Sequence, residues 1–231
     1  MKRLATLLAL VFLAPATLGA QDLTQMEMAA RSAEAAGLPD DPAFLAAMQQ
    51  HGRCAARGSS INSRNVMRGL PGSKVSQESL FYMFYNSDTC TEYGRAPAAA
   101  PGFYRGVVAE YYLKKDFSFP DFRSEGRHQR IYPEPDEGDL GKLVESDRTA
   151  VVVIEAGRRL AASSSSALEA LFATAAGSEQ EATAINALLP VLVDHLPRGT
   201  RLAVHPFLLR GYLAEGAYRH GVALKEGAPD A

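Results

Sequence analysis

Two cysteines, Cys54 and Cys90, are all that this sequence has, and neither follows an N-terminal apolar segment closely enough to carry the lipid anchor of a bacterial lipoprotein. Long apolar runs are also missing. Beyond the first twenty residues each is cut by charge, glycine or proline well short of the roughly 20 residues that a spanning helix needs, so no transmembrane segment is expected in the mature chain. The sequence has no Gly-x-Ser-x-Gly elbow, His-Glu-x-x-His helix, phosphate-cradling glycine loop or dinucleotide fingerprint. No catalytic residue, metal site or cofactor is therefore assigned. Strong positive charge is absent as well: the formal net charge is -2, which gives no global reason to expect nucleic acid as a partner. Lysine is scarce, with arginine outnumbering it three to one, so a local cluster of arginines carries less information here than elsewhere.

What is present begins with a secretory pattern. Lys2 and Arg3 form a charged segment, Leu4 to Leu13 an apolar one, and small residues follow through Ala14, Ala16, Gly19 and Ala20. Residues 1–20 are expected to be a signal peptide, 21–226 a single globular domain opening on a helical hairpin, and 227–231 a disordered tail, which places the product in the periplasm or outside the cell. In such a compartment two cysteines most simply form one disulfide, Cys54 to Cys90. Closing that loop contributes roughly 3 to 4 kcal/mol on the chain-entropy model. The competing reading is a thiolate activated by His51, three residues earlier on the same helical face; disulfide pairing explains the cysteine better.

Thr24–Ala36 is rich in Ala, Met and Glu and predicts a helix stopped by Gly37-Leu38-Pro39. Asp41 as N-cap, Pro42 at the first helical position and Phe44, Leu45 and Met48 predict a second helix that carries Cys54 near its end. The chain then turns polar. Between Asp41 and Glu78 there is no acidic residue, while Arg53, Arg57, Arg64, Arg68 and Lys74 fall inside that window among serines and asparagines. Arginine's planar fork suits carboxylate and phosphate, and neutral donors add to it. The candidate ligand-binding residues are Arg57, Asn62, Arg64, Asn65 and Arg68; the bland alternative is a solvated loop whose arginines pair with acids elsewhere. Ser60 is placed to cap a short helix ending at Gly69.

Leu80 to Tyr85 is apolar or aromatic without a period, so it reads as core in either helix or strand. Phe103, Val107 and Tyr111 beside Tyr104, Val108 and Tyr112 favour a helix through Lys115. Phe117–Tyr132 reads as loop with a short strand at its end. Glu134, Asp136, Glu137, Asp139 and Glu145 make an acidic stretch whose spacing does not match an EF-hand. Ala150–Glu155 is β-branched and short and is the strongest strand signal in the chain, ended by Ala156-Gly157; Leu202–Val204 reads as a second strand. Between them, Ser163–Ser166 reads as a cap-rich linker, Ser166 with Glu169 and Ser178 with Glu181 as capping boxes, and Pro190 as a kink. Leu208, Tyr212, Leu213 and Ala217 suggest a last helix.

The expected fold class is α+β, helix-rich, with a small sheet in the C-terminal half, the alternative being α/β with a short parallel sheet. No internal repeat of useful length stands out. His195 and His205, with Asp194 or His220, invite a zinc site, but His195 at a helix end has a simpler account. Glu110 and Glu155 are the carboxylates a glycosidase would use, and nothing in the sequence brings them together. The functional expectation is an exported binding or accessory protein of the cell envelope that meets an anionic ligand or a protein partner through the basic, disulfide-bounded segment; the alternative is an envelope hydrolase.

Overall fold

The computed structural model describes residues 41–85, 90, 101–119, 122, 145–200, 202 and 204–226. The signal segment, the helix expected at Thr24–Ala36, the strand at Arg130–Tyr132, the acidic residues 134–139 and the tail lie outside the described residues. Within the described set, helices begin where the local chemistry asks for them. Asp41 Oδ1 accepts a hydrogen bond from Ala43 N at 2.9 Å and Pro42 needs no partner for its nitrogen, which together start α1 (Pro42–Gly58). Serine 59 departs from helical geometry (φ -129°, ψ 68°) and separates α1 from α2 (Ser60–Val66). A turn through Gly72, whose φ of 72° only glycine adopts without strain, leads to α3 (Lys74–Tyr85). Prolines again stand at the head of α4 (Pro101–Asp116) and of the last helix, α7 (Pro206–Glu226). Between these lie α5 (Glu145–Ala173) and α6 (Glu179–Val193), the latter capped as expected by Ser178 Oγ accepting from Glu181 N.

No strand occurs among the described residues, so the α+β expectation, and its α/β alternative, give way to an all-α fold. The strand signal at Ala150–Glu155 lies inside α5, and Leu202 and Val204 lie in a connection. The reason is burial at helical spacing: Ala150, Val153, Ile154, Leu160 and Ala161 all face the core. A β-branched residue costs a helix well under about 1 kcal/mol, whereas burying one such side chain returns about 1.5–3 kcal/mol. Gly157 does not end the element. It lies against α7, where an added Cβ would stand 3.0 Å from Leu213 Cα. The expected serine linker is likewise part of α5, reduced to one non-helical residue, Ser164 (φ -145°, ψ 45°), and Pro190 sits inside α6 without dividing it. In α3, Leu80 and Met83 are buried, but Phe81 and Tyr82 are 62% and 52% exposed, so the aromatic run is not wholly core.

The core is organised on α7, which packs against α4 on one side and α5 on the other. It crosses α4 in the opposite chain sense, since Arg105 meets Glu215 while Glu110 meets Arg210. The backbones touch at Gly106 and Gly211. Helix α1 lies along α4, α3 beside α2, and α6 beside α5. Cys54 is joined to Cys90, as the sequence suggests, with their Cα atoms 5.8 Å apart. Among the described residues, no helix is long and apolar enough to cross a membrane.

Candidate functional site

The five residues singled out from the basic segment part company in the structure. Arg64 is committed: its guanidinium pairs with Asp116 at 3.1 Å and lies 4.5 Å from the ring centre of Tyr112. That matches the bland reading, in which arginine pairs with an acid elsewhere. Asn62 braces the α1–α2 corner by donating to Ser59 Oγ at 2.9 Å, and Asn65 uses its carbonyl to accept from Arg68 N. Arg68 extends from the turn after α2 and is exposed. Arg57, alone of the five, lines an open pocket of about 420 Å³ together with Gln50, Arg53, Cys54 and Tyr111.

None of these four partners is among the candidate ligand residues, although Arg53 belongs to the same basic window and the helix spacing carries a signal for three of them. Gln50, Arg53, Cys54 and Arg57 stand at i, i+3, i+4 and i+7 and so share one face of α1; Tyr111 comes from α4. None of the five lining residues is acidic. Arg57 carries no ion-pair partner among the described residues. Arg53, 37% exposed, reaches inward to Glu110 Oε1 at 3.2 Å and so connects the pocket to a buried charge network.

That network is the larger omission of the sequence reading. Glu110, buried on α4, accepts from Gln49 Nε2 at 3.0 Å, from Lys114 Nζ at 2.7 Å and from Arg210 Nε at 2.7 Å, in addition to Arg53. Arg210 also donates to Glu181 at 2.9 Å and to the carbonyl of Thr174. Three cations, Arg53, Lys114 and Arg210, thus serve two carboxylates, Glu110 and Glu181. A second network is centred on Glu215 of α7, which Arg105 clasps with two bonds of 2.6 Å and to which Arg219 donates at 2.9 Å. The Arg105 guanidinium spends its remaining hydrogens on Val66 O, Ser76 Oγ and Gly69 O. Every hydrogen of that fork is used, which is what permits its burial.

Burial alone would push both glutamates upward, but Arg210 and Lys114 beside Glu110, and Arg105 and Arg219 beside Glu215, reverse the shift and hold each at about 2, below the ordinary 4.5. A carboxylate whose pKa is depressed by folding adds stability above its unfolded pKa and loses it as the pH falls through the folded one. The thermal midpoint is therefore expected to drop steadily between about pH 4.5 and pH 2. Circular dichroism melts of the parent and of Glu215→Gln check this: the variant starts lower at neutral pH and should show a shallower acid limb. Parallel limbs would mean that Glu215 is not among the groups that titrate.

The other chemistry considered from sequence finds no assembled site. Cys54 is oxidised, Glu110 is ion-paired in its network, and Glu155 accepts from Arg158 at 3.1 Å. His195 Nε2 stands 3.1 Å from Ser163 Oγ at an exposed position, and His205 Nδ1 accepts from Phe207 N. Among the described residues no three His, Cys, Asp or Glu side chains are placed to hold a metal ion. The class that fold and site define is thus a disulfide-linked all-α protein with arginine–glutamate networks in its core and an arginine-lined pocket at its side. The chain matches no protein-family model, no curated protein and no solved structure.

Proposed function

We propose that this is an exported binding or accessory protein that takes an anionic group, from a cell-envelope component or an acidic partner protein, in the pocket between α1 and α4. The observation that carries the proposal is the composition of that pocket: two guanidiniums, an amide and a phenol, with no carboxylate among the lining residues. Guanidinium forks bind carboxylate and phosphate bidentately, and Gln50 and Tyr111 add neutral donors. Export rests on the N-terminal pattern and on the disulfide, which persists in oxidising compartments. A hydrolase needs a nucleophile and a base within reach of bound substrate. The pocket contains neither histidine nor serine, and that favours binding over hydrolysis.

Reversing the charge at Arg57 should weaken retention of the purified protein on isolated envelope material by about 10-fold to 100-fold, the equivalent of one or two charge-assisted hydrogen bonds. Arg68→Glu, which carries the same change in net charge outside the pocket, serves as the control. Undiminished retention of a folded, disulfide-closed Arg57→Glu protein, or equal loss in both variants, would reject the pocket as the binding site.

A further inference from the structure

We infer that the described fold is two copies of one helical unit, fused in a single chain and packed on each other about a pseudo-twofold axis, so that the face of α4 and the face of α7 are each built to receive a second copy of the same unit. The observations coincide at a constant shift of 105 residues. Helix α3 begins at Lys74 and α6 at Glu179; α4 begins at Pro101 and α7 at Pro206. The break between α1 and α2 at Ser59 recurs as the non-helical Ser164 within α5. The left-handed Gly72 (φ 72°) recurs as Gly177 (φ 75°). The spelling agrees where the geometry is most demanding: Arg105-Gly-Val-Val-Ala-Glu110 and Arg210-Gly-Tyr-Leu-Ala-Glu215, with Gly52-Arg53 and Gly157-Arg158 on the preceding helices.

A repeat of sequence and helices leaves the relative placement of the copies open; the contacts between them supply it, because they come in exchanged pairs. Arg105 of the first unit binds Glu215 of the second, and Arg210 of the second binds Glu110 of the first. Lys114 donates to the carbonyl of Phe172, and Arg219, its counterpart, to the carbonyl of Met67, the counterpart of Phe172. Gly72 faces Asp147 across the interface while Gly177 faces Pro42, and Gly106 meets Gly211 on the axis itself. Bonds inside each unit repeat as well. Arg105 donates to Gly69 O and Ser76 Oγ, and Arg210 to Thr174 O and Glu181 Oε1. An isologous interface, in which i meets j and j meets i, is the signature of a twofold dimer.

The copies differ where the pocket lies. Tyr111 of α4 lines it, whereas its counterpart, Gly216, has no room for a side chain: an added Cβ would be 2.3 Å from Ile154 O and 2.5 Å from Arg158 N. Arg57 is matched by Ala162. The second unit thus closes α5 onto α7 at the place where the first leaves a cavity.

Two experiments on the full chain test the inference. Spin labels at the exposed pairs Arg68 with Thr183, and Glu78 with Ala173, probe cross-unit distances that the twofold makes equivalent; the two distance distributions should superimpose. A chain in which residues 146–221 are overwritten in register by 41–116 should fold as a monomer of unchanged helicity. The labelled pairs decide, because they use the parent fold: unequal distributions overturn the inference, and equal ones uphold the twofold even where the overwritten chain aggregates.

Discussion

Arg210→Met should lower the unfolding free energy by about 3–5 kcal/mol, a large share of the roughly 5–15 kcal/mol that holds a domain of this size together. Among the described residues, Arg210 is the one cation that bridges Glu110 and Glu181, and both carboxylates are buried. Methionine fills much of the same volume, so the loss is electrical rather than steric. Glu110 retains Lys114 and Arg53 at 2.7 and 3.2 Å, but the Glu181 carboxylate keeps, among the described residues, only the backbone N–H of Gly177 at 2.6 Å. The carbonyl of Thr174 is orphaned at the same time. Urea unfolding followed by circular dichroism measures the effect, and Arg210→Lys sharpens it. Lysine restores the charge without the fork that reaches six acceptor atoms, so it should recover part of the stability. Full recovery would show that charge alone matters, and a loss under about 1 kcal/mol for Arg210→Met would show that desolvation had already cancelled the network's contribution.

Much of the local structure was legible. Asp41 and Pro42, the Ser178–Glu181 cap and the Cys54–Cys90 link all appear as the sequence suggests, because each depends on residues close in the chain or on the redox compartment alone. The sheet was misread for a definite reason. Glycine after a β-branched run usually marks an end, and here Gly157 marks a place where two helices press together. Of the five candidate ligand residues only Arg57 lines the pocket, since a basic segment read as a line becomes two helices with different faces, and Arg64 is held by its surface pair with Asp116. The arginine–glutamate networks join residues about a hundred positions apart, which no window along the sequence brings together. The repeat escaped notice for a related reason. Its identities fall at crossings, caps and ion pairs, while the intervening apolar positions exchange Val, Leu, Ala and Tyr freely, as cores permit when volume and patterning are kept. The shared Arg-Gly-x-x-Ala-Glu spelling was its visible trace.

Gly211→Val is expected to cost about 3 kcal/mol, at the upper end of the overpacking range, because nothing at the site can yield. A Cβ on Gly211 would lie 2.7 Å from the Cα of Gly106, and one on Gly106 would lie 2.4 Å from the Cα of Gly211. Both neighbours are backbone, so α4 and α7 must separate or slide, and that displacement pulls on the Arg105–Glu215 and Arg210–Glu110 pairs at once. Helix propensity works in the opposite direction, since glycine costs a helix about 1 kcal/mol relative to alanine. Gly211→Ala sets the two effects against each other and should still be destabilising, though less so than valine. Gly58→Ala provides the contrast: nothing lies within 4 Å of its added Cβ, so the same exchange should be neutral or stabilising by up to about 1 kcal/mol. Thermal melts of the three variants decide whether space or residue type governs these glycines. A Gly211→Ala protein more stable than its parent would mean that the two helices do not touch there, and the shared axis on which the reciprocal ion pairs depend would be lost with that contact.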